Sequence, residues 1–291
     1  MTHKRVTPNP FRRSVLWFAA ALAIVICAGL ITGCLDKKSG SIWRLSPPLV
    51  GAEDFIPPLK KDLPAEVAKE LKALLEKEWN WLVKPPAEFS PPQLDHEFAE
   101  LRWEVARKFG TYDVEGAISY ARASLALDEA HPERWEQLGD LYNLSGDVTG
   151  ARDAANAYDN AVFLDPGAIS PRRKLAAALT LLQQPREAAI QLEYCLCKVD
   201  KQEEQELLPL YAAACAASGE FQRGIAFCRE RSNTEQGHTY RVIWAIFERA
   251  AGNRDEALRL LGETAKDGQA SAALAEYART LKARYETEGA K

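Results

Sequence analysis

The sequence predicts an all-α protein: a solenoid of helical hairpins, preceded by an N-terminal signal or anchor helix and a Pro-rich tether. Three observations predict it. A pattern of a small residue, an apolar residue four places on and a further residue three places after that returns five times, at Ala117, Ala154, Ala188, Gly224 and Ala257. Its starts lie 37, 34, 36 and 33 residues apart, close to a fixed mid-thirties period. From about Asp95 onward nothing alternates with the period of two that a strand requires, and the few prolines mostly fall where helices begin or end. Finally, the chain opens with a basic head followed by a long uncharged apolar run.

Residues 1–34 are that opening. Lys4, Arg5, Arg12 and Arg13 precede 22 residues without a charge, Ser14 to Leu35. This is the layout of a signal peptide, and as a helix the run also spans roughly the 30 Å of a hydrocarbon core. The run closes on Leu30-Ile31-Thr32-Gly33-Cys34, which resembles the bacterial lipobox. That resemblance implies a lipoprotein, with Cys34 acylated and serving as the new N-terminus. The alternative is an uncleaved transmembrane anchor in which Cys34 is an interfacial cysteine. Either way the basic head stays cytoplasmic, so the rest of the chain lies beyond the inner membrane, in the periplasm or extracytoplasmic space of a bacterial envelope. Leu35 after the cysteine implies outer-membrane sorting, although Asp36 is only one place later.

Residues 35–63 read as a tether, with Pro47-Pro48, Pro57-Pro58 and no sustained period. Residues 64–92 hold an amphipathic helix and a hinge. Val67, Leu71, Leu74, Leu75 and Trp79 form its apolar stripe, and it runs out near Val83 before Pro85-Pro86. Residues 93–291 are the repeat domain. Ser271 to Tyr285 reads as a final amphipathic helix that caps it.

The second hairpin is the most explicit. Trp135-Glu136-Gln137-Leu138-Gly139-Asp140-Leu141-Tyr142 is followed by Ala154, Tyr158, Ala161 and Leu164-Asp165-Pro166. Small residues at 139 and 154 let two helices approach closely, Trp135 and Tyr142 fill the wedge between them, and Pro166 ends the second helix. These residues resemble the tetratricopeptide-repeat (TPR) family, whose first-helix signature Trp-x-x-Leu-Gly-x-x-Tyr is complete here. About three extra residues between Tyr142 and Ala154 depart from the family and predict a longer turn. The resemblance covers about residues 97–265, more degenerately outside this unit.

Beyond the basic head the chain carries 33 basic and 41 acidic residues, which argues against a nucleic-acid partner or an anionic-lipid surface. The sequence contains no P-loop, no dinucleotide-binding glycine cluster and no Gly-x-Ser-x-Gly. His96-Glu97 lacks the second histidine of a zinc-protease helix, since position 100 is Glu. No enzyme, cofactor or metal site is therefore expected. Cys195 and Cys197 point about 200° apart on a helix, and Cys215 and Cys228 are offset by about 7 Å along paired helices. All four are expected to be small, buried, reduced core residues, with a disulfide as the alternative.

The TPR resemblance implies protein partners bound in a groove lined by first helices. The candidate groove residues are Glu133, Glu136, Asp140 and Asn143 on one first helix and Arg173 and Lys174 on the next, an acidic segment beside a basic one. The alternative is that these charges simply solvate the helix face. The expected function is a membrane-tethered scaffold in the assembly or localisation of an envelope complex. A permanent accessory subunit held by an uncleaved helix is the other reading.

Overall fold

The computed structural model describes residues 59–60, 63–110, 112–144, 146–233 and 237–288. The predicted signal or anchor helix, Cys34 and nearly all of the tether lie outside the described residues. Among the described residues the secondary structure is wholly helical, in twelve helices. The chain divides into two compact units, with the break after Glu129.

The first unit holds α1 (Ala65–Val83), α2 (Pro91–Phe109) and α3 (Val114–Leu125). Pro64 caps α1 rather than entering its first turn, and the helix ends at Val83 as the following prolines require. The start of α2 is set by a capping box. Gln93 Oε1 accepts from the Ser90 amide at 3.0 Å, and Pro91 occupies the position where no amide is needed. Its end is Gly110 at φ +46°, where a side chain would strain the backbone. Asp113 caps α3 by accepting from the Gly116 amide. Leu71 and Leu75 of α1 are buried, and α1 packs on α2. Trp81 meets Phe98 edge-on at 5.6 Å, so this tryptophan packs onto the first repeat. Glu78 is only 2% exposed; Arg102 Nε donates to its Oε1 at 2.8 Å, while its Oε2 is buried without a hydrogen-bond partner among the described residues.

The second unit holds α4 (Pro132–Asn143), α5 (Val148–Leu164), α6 (Ile169–Leu181), α7 (Pro185–Leu196), α8 (Lys201–Ser218), α9 (Phe221–Arg231), α10 (Gly237–Ala250), α11 (Arg254–Lys266) and α12 (Ala272–Glu288). Each helix packs against the next in the chain, and α10 additionally touches α8 and α12. Such nearest-neighbour packing is the signature of a hairpin array. Asp147 and Asp200 cap α5 and α8 through amides of their first turns. Gln183 at φ +57° and Gly219 at φ +71° turn the chain between helices.

All five repeat-pattern starts fall on second helices, α3, α5, α7, α9 and α11, and the four alanines among them are fully buried. Gly139 fulfils the role read for it. A Cβ there would lie 2.4 Å from the Tyr158 ring, so α4 and α5 meet at a distance only glycine allows. Gly224 repeats the device against the Phe247 ring. One apolar core runs from α5 through α10, built around Tyr158, Leu192, Tyr211, Cys228 and Phe247. A second joins α10, α11 and α12 through Ala245, Leu261, Ala278 and Tyr285. The exposed side of α12 carries Arg279–Glu276 and Arg284–Glu288 pairs.

The four cysteines among the described residues are free, but they do not all lie in the core. Cys195, Cys215 and Cys228 are buried and Cys197 is exposed. The expectation that Cys197 is a core residue is corrected, because α7 stops at Leu196 and position 197 caps the helix at the surface.

Candidate functional site

The first helices of the second unit are α4, α6, α8 and α10, and their exposed side chains form one face. Helix periodicity places Glu133, Glu136, Asp140 and Asn143 on one stripe of α4, since they are spaced by three or four residues. The same reasoning puts Arg173 and Lys174 on the facing part of α6.

The fold joins these residues more tightly than their spacing suggests. Lys174 Nζ lies 2.7 Å from both Glu136 Oε1 and Asp140 Oδ2. The other oxygen of Asp140 accepts from the Tyr158 hydroxyl at 2.8 Å, and that hydroxyl accepts from Asn143 Nδ2 at 2.8 Å. Four of the six candidates therefore form one network around Tyr158, which the sequence shows only as the apolar position of the repeat pattern. Arg173 points the other way along the array, to Glu203 at 2.8 Å and Glu206 at 3.6 Å on α8. Glu133 is separate and, among the described residues, pairs with His131 at 3.2 Å. Acid on α4, base on α6 and acid on α8 thus alternate and neutralise one another. The expected acidic and basic patches are instead a ladder of partly exposed pairs.

Two further clusters copy the Tyr158 arrangement. Tyr211 donates to Glu193 at 3.1 Å, and Arg223 Nε donates to the same carboxylate at 2.7 Å. Tyr240 donates to Glu204, which Arg231 also approaches at 3.4 Å. Burial, together with the neighbouring anions, pushes all three phenols above the usual tyrosine range, so each remains a hydrogen-bond donor. Lys174 loses solvation, yet its hydrogen bonds to Asp140 and Glu136 hold it above the ordinary lysine value.

The C-terminal half of the same face has a different chemistry. Pro209 and Ala212 of α8, Val242, Ile243 and Ile246 of α10, and Leu274 and Tyr277 of α12 line an apolar cleft of about 350 Å³. No charged side chain lines it. This cleft was missed in the sequence. Its signal was present in α10, whose Val-Ile-Trp-Ala-Ile-Phe run is too apolar for a helix with a single buried stripe. In the first unit, Trp81, Trp103, Glu97, Glu100 and Glu104 line a polar recess in which Lys77 Nζ sits 4.6 Å from the Trp81 ring centre.

No protein-family model matches the chain, and no curated protein matches it either. Solved structures similar to it are TPR proteins. YrrB, a TPR protein with an unusual peptide-binding site, is 16% identical, with 62% of this chain and 92% of that one covered at a TM-score of 0.41. MamA is 19% identical, with 58% and 90% covered at 0.42. A Parabacteroides merdae TPR protein is 12% identical, with 75% and 97% covered at 0.32.

Proposed function

We propose that this chain is a membrane-tethered TPR scaffold that binds other proteins on its first-helix face and helps assemble or localise a bacterial envelope complex. The observation that carries this reading is the face itself. Its first half presents Glu133, Glu136, Asp140, Asn143, Arg173 and Lys174 with most of their side chains already ordered by Tyr158 and by one another. Ordered side chains lose little conformational freedom when a partner docks, which favours recognition over chemistry. The tether is read from the sequence: the apolar run before Cys34 supplies a lipid-modified or a helical anchor. Among the described residues no helix is long and apolar enough to cross a membrane.

Two measurements test the proposal. A photo-crosslinking residue at Gln137, exposed on α4, should trap discrete protein partners in a bacterial host, while the same residue at Asn156 on the outward side of α5 should not. Equal yields from the two positions would remove the first-helix face as the binding surface. Intact-mass analysis of membrane-derived protein addresses the tether. A chain starting at Cys34 with added acyl mass, lost in Cys34→Ser, is expected. An unmodified chain that keeps residues 1–33 would instead place the scaffold on a transmembrane helix, as an accessory subunit.

A further inference from the structure

The described residues begin at Leu59, and the first of them are already fastened to the first unit. Lys60 Nζ lies 3.1 Å from Asp113 Oδ1 and donates to the Tyr112 carbonyl at 3.3 Å, and Leu63 is buried. The chain on the N-terminal side therefore sets out from the turn between α2 and α3. Arg107, six residues before Asp113, lines the polar recess between α1 and α2, a space of about 330 Å³. The recess follows α2 from Glu97 to Arg107, about 15 Å at the rise of a helix.

The lining selects one kind of occupant. Trp81 and Trp103 supply two indole rings, and Lys77 Nζ over the Trp81 ring demonstrates that this face accepts a cation. Glu97, Glu100 and Glu104 stand against Lys77 and Arg107, which leaves one negative charge over. Glu100 also has His96 at 4.0 Å, whereas Glu97 and Glu104 have no ion pair among the described residues. A Pro-containing segment with a single cation meets these demands. Its prolines hold an extended helix that docks on aromatic rings, and its cation meets the spare carboxylate. A run of several basic residues would instead meet Lys77 and Arg107.

We propose that the recess seats the chain's own tether, through Arg44-Leu45-Ser46-Pro47-Pro48. Arg44 is the one charge between Ser41 and Ala52. Pro48 lies twelve residues before Lys60, so as an extended proline-type helix the intervening chain reaches about 37 Å, more than the recess requires. Because the segment belongs to the same chain, its effective concentration is on the order of millimolar, enough for a contact of a few residues to form. Docking sets how far the domain stands from its anchor. With the segment seated, residues 35–43 alone bridge Cys34 to the recess, about 30 Å; released, residues 35–58 extend to about 75 Å. A competing segment of the same chemistry would lengthen the tether by taking the recess. That consequence rests on the anchor proposed above, whereas the docking itself is the same for a lipid or a helical anchor.

The test uses the full-length chain in mild detergent with a photo-crosslinking residue at Arg107, which is exposed and whose replacement keeps all three carboxylates. Crosslinks mapped by peptide mass are expected on Ser41–Ala52 of the same chain. The same residue at Ser119, exposed on α3, should miss that segment. Arg44→Glu, and separately Pro47→Gly combined with Pro48→Gly, should each lower the yield about fivefold or more. These positions lie outside the described helices, so unchanged helicity verifies that the variants fold. Mixing chains of natural and heavy isotope content separates contact within a chain from contact between copies. Partner capture from Gln137 is read on the second unit, so its failure and the failure of this docking are distinguishable. No crosslink to Ser41–Ala52, crosslinks that mainly join heavy to light chains, or a yield indifferent to Arg44→Glu would each overturn the proposal.

Discussion

At position 139 the absence of one methyl group sets how closely two helices can approach. Gly139→Ala would drive a carbon to 2.4 Å from the Tyr158 ring, and that ring is locked by Asp140 and Asn143. The substitution is expected to cost about 1–3 kcal/mol, as overpacking does. Gly262→Ala provides the control. It lies in α11 with only the flexible end of Lys282 at 3.5 Å, so it should be neutral or stabilising by up to about 1 kcal/mol. Paired denaturant unfolding checks both. The cysteines make a second case. Burial pushes the thiols of Cys195 and Cys215 up to about 11 and that of Cys228 to about 12, whereas Cys197 is exposed. Brief alkylation of the native protein, mapped by peptide mass, should modify Cys197 and spare the other three. Because the folded chain holds those three protons more tightly, their contribution to stability is complete below pH 9.0 and is lost as the pH climbs through about 11–12. The melting temperature should fall across that window, and less steeply in Cys228→Ala.

At the scale of elements, neighbouring hairpins are registered by polar clusters as well as by apolar packing. Asp140 of α4, Tyr158 of α5 and Lys174 of α6 bond across three successive helices, and Glu193, Tyr211 and Arg223 do the same for α7, α8 and α9. Tyr158→Phe removes one hydroxyl and leaves Asp140 and Asn143 short of a partner, a loss of about 1 kcal/mol. A double-mutant cycle on Asp140→Asn and Lys174→Met should give a coupling of about 0.2–1 kcal/mol that shrinks as salt is added, because the pair is partly exposed. A coupling indifferent to salt would mean that the pair acts through packing. The hairpins themselves were legible in the sequence, since small residues at a mid-thirties period can serve only close helix contacts. The clusters were not, because Tyr158 is separated in sequence from Lys174 and its hydroxyl could have faced any neighbour.

At the scale of the whole molecule, the last described helix packs on the one before it. α12 covers α11 by burying Ala275, Ala278 and Tyr285, and Arg254 donates to the backbone carbonyls of Tyr285 and Glu286. Removing residues 272–291 uncovers that apolar face. The loss is expected to exceed about 2 kcal/mol, given what burial of a single large side chain contributes. Denaturant unfolding would measure it, and an unchanged midpoint would show that α12 is not a cap. Light scattering should also report new association of the truncated chain.

The sequence by itself determined that the described residues are helical and where their hairpins lie. These follow from local rules, namely the 3.6-residue period, the placement of glycine and proline, and the need for small residues where helices touch. Only the tertiary structure decided that Glu136, Asp140 and Lys174 neutralise one another, that Tyr158 organises them, and that the apolar residues of α8, α10 and α12 converge on a cleft. Those outcomes depend on the register in which one hairpin stacks on the next. Register is set by the summed packing of residues more than thirty positions apart, which no local pattern encodes.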